Sequence, residues 1–229
     1  MWTLSASEWA AFTLSLQVAL ESVLISLPLG LVLAVGLARG DWRGRTLLDT
    51  AIHLPLVLPP VLVGYLLLSL LGRRTLVGHW LATQWGVHLP FTIHGAALAT
   101  AVMTFPLLVR AIRLSREQLD PALLEAAQLL GARPWDRFFT VTLPLLLPGI
   151  IAGTVMAFSA SLGEFGAVMT FAGNVPGQTQ TLPLALYSAL DSADGDTSAW
   201  HLALLSLSLG ISGIVLAEWL SRRLKARVS

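Results

Sequence analysis

The sequence predicts an all-α, polytopic membrane protein with about five transmembrane helices, and three observations predict it. Of its 229 residues 55% are hydrophobic and only 12% charged, with a mean hydropathy of +0.74; a soluble domain spends roughly a quarter of its residues on Asp, Glu, Lys and Arg. Five apolar stretches, about 12–37, 47–71, 91–112, 141–171 and 200–220, meet or approach the requirement for crossing a bilayer core, which is roughly 20 helical residues. All 14 basic residues fall in connections or at span ends. This composition excludes whole-chain disorder, and a formal net charge of +1 is too small to make a nucleic-acid-binding surface. With no cysteine, disulfides, iron–sulfur clusters and thiol catalysis are excluded as well.

The first stretch is expected to stay in the membrane. Met1 to Ala11 contains no Lys or Arg, the apolar run is longer than that of a secretory signal, and no small-residue cleavage site follows. It carries Glu21, open to a functional role or to an interhelical hydrogen bond. The second stretch carries Pro55, Pro59 and Pro60. Each removes a helical N–H and leaves carbonyls of the preceding turn without partners, which hydrocarbon does not tolerate. That span should therefore face the protein interior or a watery path, as a lining or hinge element or as a kink that improves packing. The fourth stretch contains Gly163-Glu164-Phe165-Gly166. An intramembrane carboxylate costs about 2.5–3.5 kcal/mol on insertion scales, so Glu164 marks function or a subunit contact. Two segments, 76–90 and Leu182–Leu190, are too short to cross alone and are candidates for a half-inserted piece. The turn-rich, uncharged stretch 173–183 reads as part of an outer mouth or as a solvated loop.

Charge placement sets the orientation. Arg39, Arg43 and Arg45 follow span 1; Arg110, Arg113, Arg116, Arg133 and Arg137 lie between spans 3 and 4; Arg222, Arg223, Lys225 and Arg227 follow span 5. Only Arg73 and Arg74 fall on the other side, so the N-terminus is expected outside and the C-terminus in the cytoplasm. Trp2, Trp9, Trp42, Trp80, Trp85, Trp135, Trp200 and Trp219 all fall at span ends or in connections, as interfacial anchoring requires.

The connection of about 114–140 is the one sizeable polar segment on the expected cytoplasmic side, and it reads as two short helices joined by a bend. Asp120 suits an N-cap, Pro121 the first helical position, and Gly131 the left-handed residue that closes a helix. Leu123, Leu124, Ala126, Ala127 and Leu130 give this helix more apolar surface than a solvated helix needs, so something must cover it. Pro134 opens a second short helix through Trp135, Phe138 and Phe139.

In this connection Glu125-Ala126-Ala127, Gly131 and the distal Leu143-Pro144 stand at the spacing of the EAA motif. The chain thereby resembles the permease subunits of binding-protein-dependent ABC importers. The stretches His53–Tyr65 and Ser161–Ala167 are similar to those of the molybdate permeases, with sulfate and thiosulfate permeases as near relatives, and the similarity runs along essentially the full length. The resemblance implies one permease domain over 1–229 whose coupling loop docks in a groove of a cytoplasmic ABC ATPase. Glu125 would offer its carboxylate to the partner, Ala126 and Ala127 would allow close backbone approach, and Gly131 would set the angle of the elbow.

It further implies a homodimer enclosing a path for molybdate or tungstate, with sulfate or thiosulfate as the alternative substrate, fed by an extracytoplasmic substrate-binding protein in a bacterial cytoplasmic (inner) membrane. An ionised Glu164 would repel an anion, so Glu164, protonated or hydrogen-bonded to backbone groups, is expected to hold a gate or the dimer interface, and Gly163, Phe165, Gly166 and the span 2 prolines are candidates for the pathway or gate. No Lys or Arg lies near a span centre, which suits a conduit better than a high-affinity receptor.

No G-x-x-x-x-G-K-[ST] occurs, so ATP would be used by the partner subunit and no cofactor is expected on this chain. His53, His79, His88, His94 and His201 show no metal-ligand spacing. Asp191, Asp194 and Asp196, the nearest thing to a catalytic cluster, lack a partnering metal pattern and read as a solvated loop. An ion-driven secondary transporter would need paired intramembrane charges or an inverted repeat, and no repeat relates the two halves. The topology is open to a direct check in this cysteine-free background: Ala132→Cys should react with an impermeant maleimide only from the cytoplasm and Gly177→Cys only from outside. Reversed labelling would overturn the orientation.

Overall fold

A computed structural model describes residues 4–38, 42–192 and 195–228, with side chains at 217, 218 and 220–228 left undescribed. Met1, Trp2, Arg39 and Asp194 lie outside the described residues, as do the side chains of Arg222, Arg223, Lys225 and Arg227. Among the described residues every regular element is helical: α1 Ala6–Leu37, α2 Arg45–Val57, α3 Pro60–Leu71, α4 Leu76–Trp85, α5 Ile93–Glu117, α6 Pro121–Leu129, α7 Pro134–Arg137, a π-helical turn Phe138–Thr142, α8 Leu143–Leu162, α9 Gly166–Phe171, α10 Leu182–Leu190 and α11 Asp196–Val228.

Four helical segments are long and apolar enough to cross a membrane, namely Ala6–Leu37, Ile93–Glu117, Pro134–Leu162 and Asp196–Leu216. Together α2 and α3 are long and apolar enough for a fifth, as one broken span or a re-entrant pair. Span 2 is not the kinked helix that its prolines suggest but two helices meeting at 118°. Leu58 and Pro59 are extended at the corner, because Pro59 and Pro60 bring no N–H with which to continue the helix. Span 4 also departs from expectation. It ends at Leu162, and after three intervening residues a short separate helix, α9, follows. Both segments too short to cross alone are helical, as α4 and α10.

At the centre of the bundle α5 packs between α1 and α8. Its buried face begins with Gly95, Ala96, Ala97, Ala99, Thr100 and Ala101, small side chains that let neighbouring backbones approach, the usual basis of helix association where no hydrophobic effect operates between helices. Lower on α5, Leu108, Val109 and Ile112 join Val23, Ala34 and Leu37 of α1, Ala157 of α8 and Ile52 of α2 in one apolar cluster. Polar side chains tie the same helices: Ser22 Oγ lies 2.9 Å from Ser161 Oγ between α1 and α8, and Ser15 Oγ accepts the Leu182 N–H of α10 at 2.7 Å. Glu21 makes the interhelical hydrogen bond, its Oε2 lying 2.9 Å from Nδ1 of His94 on α5. Glu8 closes a capping box with Ser5 at the start of α1 and reaches His201 Nδ1 on α11 at 3.2 Å.

Contact between α5 and α8 depends on glycine. A Cβ on Gly149 would stand 2.3 Å from Ser115 Cβ, whereas one on Gly36 of α1 would meet nothing within 4 Å. Gly149→Leu should therefore cost about 1–3 kcal/mol through overpacking, read as a lower thermal midpoint in detergent, while Gly36→Ala should not lower it.

Candidate functional site

Two places answer to the residues singled out from the sequence, one at each end of α8. The first is the elbow. Asp120 Oδ1 accepts the Ala122 N–H at 2.9 Å, and Pro121 opens α6. At the far end Gly131 turns with φ +85°, the Gly131 N–H bonds Gln128 O at 3.0 Å and the Ala132 N–H bonds Ala127 O at 3.1 Å. This pair of bonds is the Schellman closure, which favours glycine at its left-handed position. A Cβ at Gly131 would meet nothing within 4 Å, so backbone conformation alone demands the glycine.

Beyond the turn, Arg137 Nη1 donates to Gln128 Oε1 at 2.8 Å, and Trp135 stacks on Phe139 with centroids 6.2 Å apart, so the elbow is braced rather than loose. Neither α6 nor α7 buries a residue. Glu125 and Ala126 are exposed and Ala127 half-buried, while Leu129 and Leu130 are each 88% exposed and Trp135 74%. Among the described residues, much of the apolar face therefore stays uncovered. Leu143 and Pro144 sit on the other side of the π-helical turn, in the first turn of α8, where Leu143 N–H bonds back to Phe138 O.

The second place is where the two broken spans cross. Gly163 ends α8, and Glu164 Oε1 accepts the Ala167 N–H at 3.0 Å, satisfying a donor in the first turn of α9. Phe165 packs on Tyr187 of α10 at 5.4 Å. The stretch that holds Pro59 and Pro60 lies directly against this break. A Cβ on Gly166 would stand 2.8 Å from Pro60 Cβ, and one on Gly64 would stand 2.7 Å from Ala167 O. Pro55 lies one turn before the corner and lines an apolar cavity of about 310 Å³ with Ser26, Ile52 and Phe105. The structure thus brings Pro60 together with Gly166. It separates this crossing from the elbow by the 20 residues of α8, about 30 Å of helix.

A group of charges at the elbow end of α2 and α5 went unrecognised in the sequence, where Arg45 and Arg113 served only as topology markers. Arg113 Nη1 donates to Asp49 Oδ1 and its Nε to Glu117 Oε1, both at 2.8 Å. Arg45 Nη2 stands 4.0 Å from the same Glu117 oxygen, and His53 Nδ1 lies 3.3 Å from Asp49 Oδ1. The i,i+4 spacings Asp49–His53 and Arg113–Glu117 were visible in the sequence. The pairing of α2 with α5 was not.

Comparison with known proteins now has a geometry to meet. The family described as binding-protein-dependent transport system inner membrane component matches residues 26–226. The chain is 50% identical over 219 residues to the molybdenum transport system permease protein ModB of Escherichia coli (strain K12), covering 96% of each chain. It is 48% identical over 221 residues to the ModB protein of Haemophilus influenzae, again covering 96% of each. Among solved structures, a bacterial alginate ABC transporter in complex with a pentasaccharide-bound periplasmic protein superposes with a TM-score of 0.75 at 20% identity, over 96% of this chain and 80% of that one.

Crossing of the two breaks at van der Waals limits sets a sharp contrast between neighbouring glycines. Gly64→Ala should cost about 1–3 kcal/mol, because its Cβ would meet the Ala167 carbonyl and Thr170 Cβ at 2.7 and 2.8 Å. Gly163→Ala should be tolerated, since its nearest neighbour is 3.8 Å away and its φ is −97°. Thermal midpoints of the two purified variants check this, and equal losses would show that the crossing does not depend on close approach.

Proposed function

Because the chain belongs to the family of binding-protein-dependent transport system inner membrane components, we propose that it is the permease subunit of an ATP-driven importer and forms the path for molybdate through the inner membrane. The observation that carries the coupling part of this reading is the braced elbow Asp120–Thr142, whose Leu129, Leu130 and Trp135 stay exposed among the described residues. Identity of about half the residues to molybdenum permeases over nearly the whole chain supports the substrate. The neighbour bound to a periplasmic protein supports a delivering partner on the far side.

In this reading two copies of the single 1–229 domain enclose the path, since five crossings make a poor pore alone and a two-fold axis offers two equivalent elbows to a pair of ATPase subunits. Elbow and C-terminus face the cytoplasm; the N-terminus faces outside. The chain has no ATPase of its own, and ATP binds and is hydrolysed on the partner. Closure of the ATPases pushes the elbows, and through α5 and α8, which flank the elbow in sequence, the push reaches the crossing of the broken spans. There Glu164 serves as a structural anchor, its side-chain oxygen accepting the Ala167 N–H at the start of α9. Glu125 projects from the exposed elbow, where it meets the ATPase.

Co-purification with ABC ATPase subunits, followed by uptake of molybdate, tungstate and sulfate into proteoliposomes with the binding protein present, tests the proposal. Molybdate uptake that requires ATP and the binding protein is expected; uptake by the isolated chain would overturn it. Gly131→Val places a β-branched residue at φ +85°, which costs about 1–2 kcal/mol without adding a clash. It should lower uptake roughly tenfold, with membrane insertion retained.

A further inference from the structure

The charges between α2 and α5 form an open row of alternating sign, Asp49–Arg113–Glu117–Arg45, with two members from each helix. Its position is the informative part. Glu117 is the last residue of α5, and three residues later Asp120 caps the elbow helix α6. On the other helix, Arg45 and Asp49 occupy the first turns of α2, whose opposite end is the 118° corner that leads into α3 and the crossing with α9. This row of charges therefore joins the base of the elbow to the near end of the broken span.

Little else secures α2. This helix of 13 residues buries only Ile52, while α5 buries Leu108, Val109, Ile112 and a run of small residues above them. Leu47, Leu54, Leu56 and Val57 of α2 are exposed. An arm with so thin an apolar anchor can shift against α5 at small packing cost, so a directional ionic tie carries more of its positioning than it would in a well-buried helix. The row is also built to part. Its side chains are 22–39% exposed, and Asp49, Arg110, Arg113 and Glu117 line an open cavity of about 310 Å³. Water can hydrate the charges as they part, which removes the large penalty that makes fully buried ion pairs nearly irreversible.

We propose that Arg113 is a positioning residue of the transport cycle: bridging Asp49 and Glu117, it passes movement of the elbow to the broken span, and it releases Asp49 in the alternate state. The inference rests on the permease reading above. A planar guanidinium suits the task because Nη1 and Nε engage two carboxylates on different helices at once, which a lysine cannot reproduce.

The test is made on the whole complex of this chain with its ATPase subunits and binding protein in proteoliposomes, with ATP hydrolysed and molybdate accumulated measured in parallel. Arg113→Gln and Asp49→Asn should each lower molybdate moved per ATP about tenfold, within the span of ordinary site-to-site coupling, with co-purified ATPase unchanged. The double variant should be no worse than Arg113→Gln alone, because the Arg113–Asp49 contact that Asp49→Asn cuts is already lost there; Arg113→Lys should fall between wild type and Arg113→Gln. A merely structural role would lower the amount of complex and leave the ratio of molybdate to ATP intact. Should Arg113→Gln fail to insert, the near-isosteric Asp49→Asn decides alone. Wild-type ratios in a single variant, or losses that multiply in the double, overturn the proposal while leaving the permease reading standing. Absence of ATP-dependent molybdate uptake by the unsubstituted complex overturns the permease reading itself.

Discussion

A backbone inside hydrocarbon must satisfy its N–H and C=O groups within the protein, and this chain interrupts its helices twice within its apolar spans. How it meets that demand shapes the rest of the architecture. At the α2–α3 corner the two prolines contribute no donors, and the Pro59 carbonyl accepts from the Leu62 and Val63 N–H groups at 2.9 and 3.2 Å. At the α8–α9 break the Gly163 and Glu164 N–H groups return to the Ala160 and Ser161 carbonyls, Phe165 O takes the Met169 N–H, and the Glu164 side chain takes that of Ala167. Each break is then pressed against the other through Gly64 and Gly166, which leaves little room for lipid between them. Glu164 thus has a physical reason to sit in an apolar segment: its carboxylate is the acceptor that a helix start otherwise lacks.

Rigidity is unequally distributed as a result. Around α5 the packing is tight because the side chains are small. Gly149 and Gly153 of α8 sit within about a methyl group of Ser115, Ala111 and Leu108, so α1, α5 and α8 have few alternative arrangements. The broken span has the opposite character, a thinly packed arm joined by a corner to one whose glycine is wedged. A transport cycle needs both, an invariant frame and an element with two positions, and these lie side by side along α5.

Much of this was legible in the sequence, and what was not has identifiable causes. The elbow could be read residue by residue because caps and left-handed glycines act locally: Asp120, Pro121, Gly131 and Pro134 all stand where their chemistry placed them. The apolar stretches followed from hydropathy, and the four or five candidate crossings agree with the roughly five that it predicts. The interruptions within spans 2 and 4 were less legible, since a proline or glycine in an apolar run is compatible with a kink, a corner or a straight helix until the neighbour is known. Gly166 and Pro60 are over a hundred positions apart, and no periodicity reports their contact. The histidines show the same limit. Without any motif spacing in the sequence, His94 and His201 face Glu21 and Glu8 on α1, partners that only the fold supplies.

The elbow unites the energetic and mechanical sides of the proposed function. Exposing Leu129, Leu130 and Trp135 to water is unfavourable for the isolated chain, and burying each such side chain against a partner returns about 1.5–3 kcal/mol. That surplus must exceed the loss of translational and rotational freedom on association, so a small elbow docks well only if it is already ordered. The Schellman closure, the Arg137–Gln128 hydrogen bond and the Trp135–Phe139 stack provide that order before any partner arrives. The same bracing has a second consequence: a force applied to a slack loop is absorbed by the loop, whereas one applied to a braced elbow is delivered to the helices at its two ends. Those helices are α5, carrying Arg113 and Glu117, and α8, ending at the Gly163 break, so one stiff element addresses both ends of the broken path.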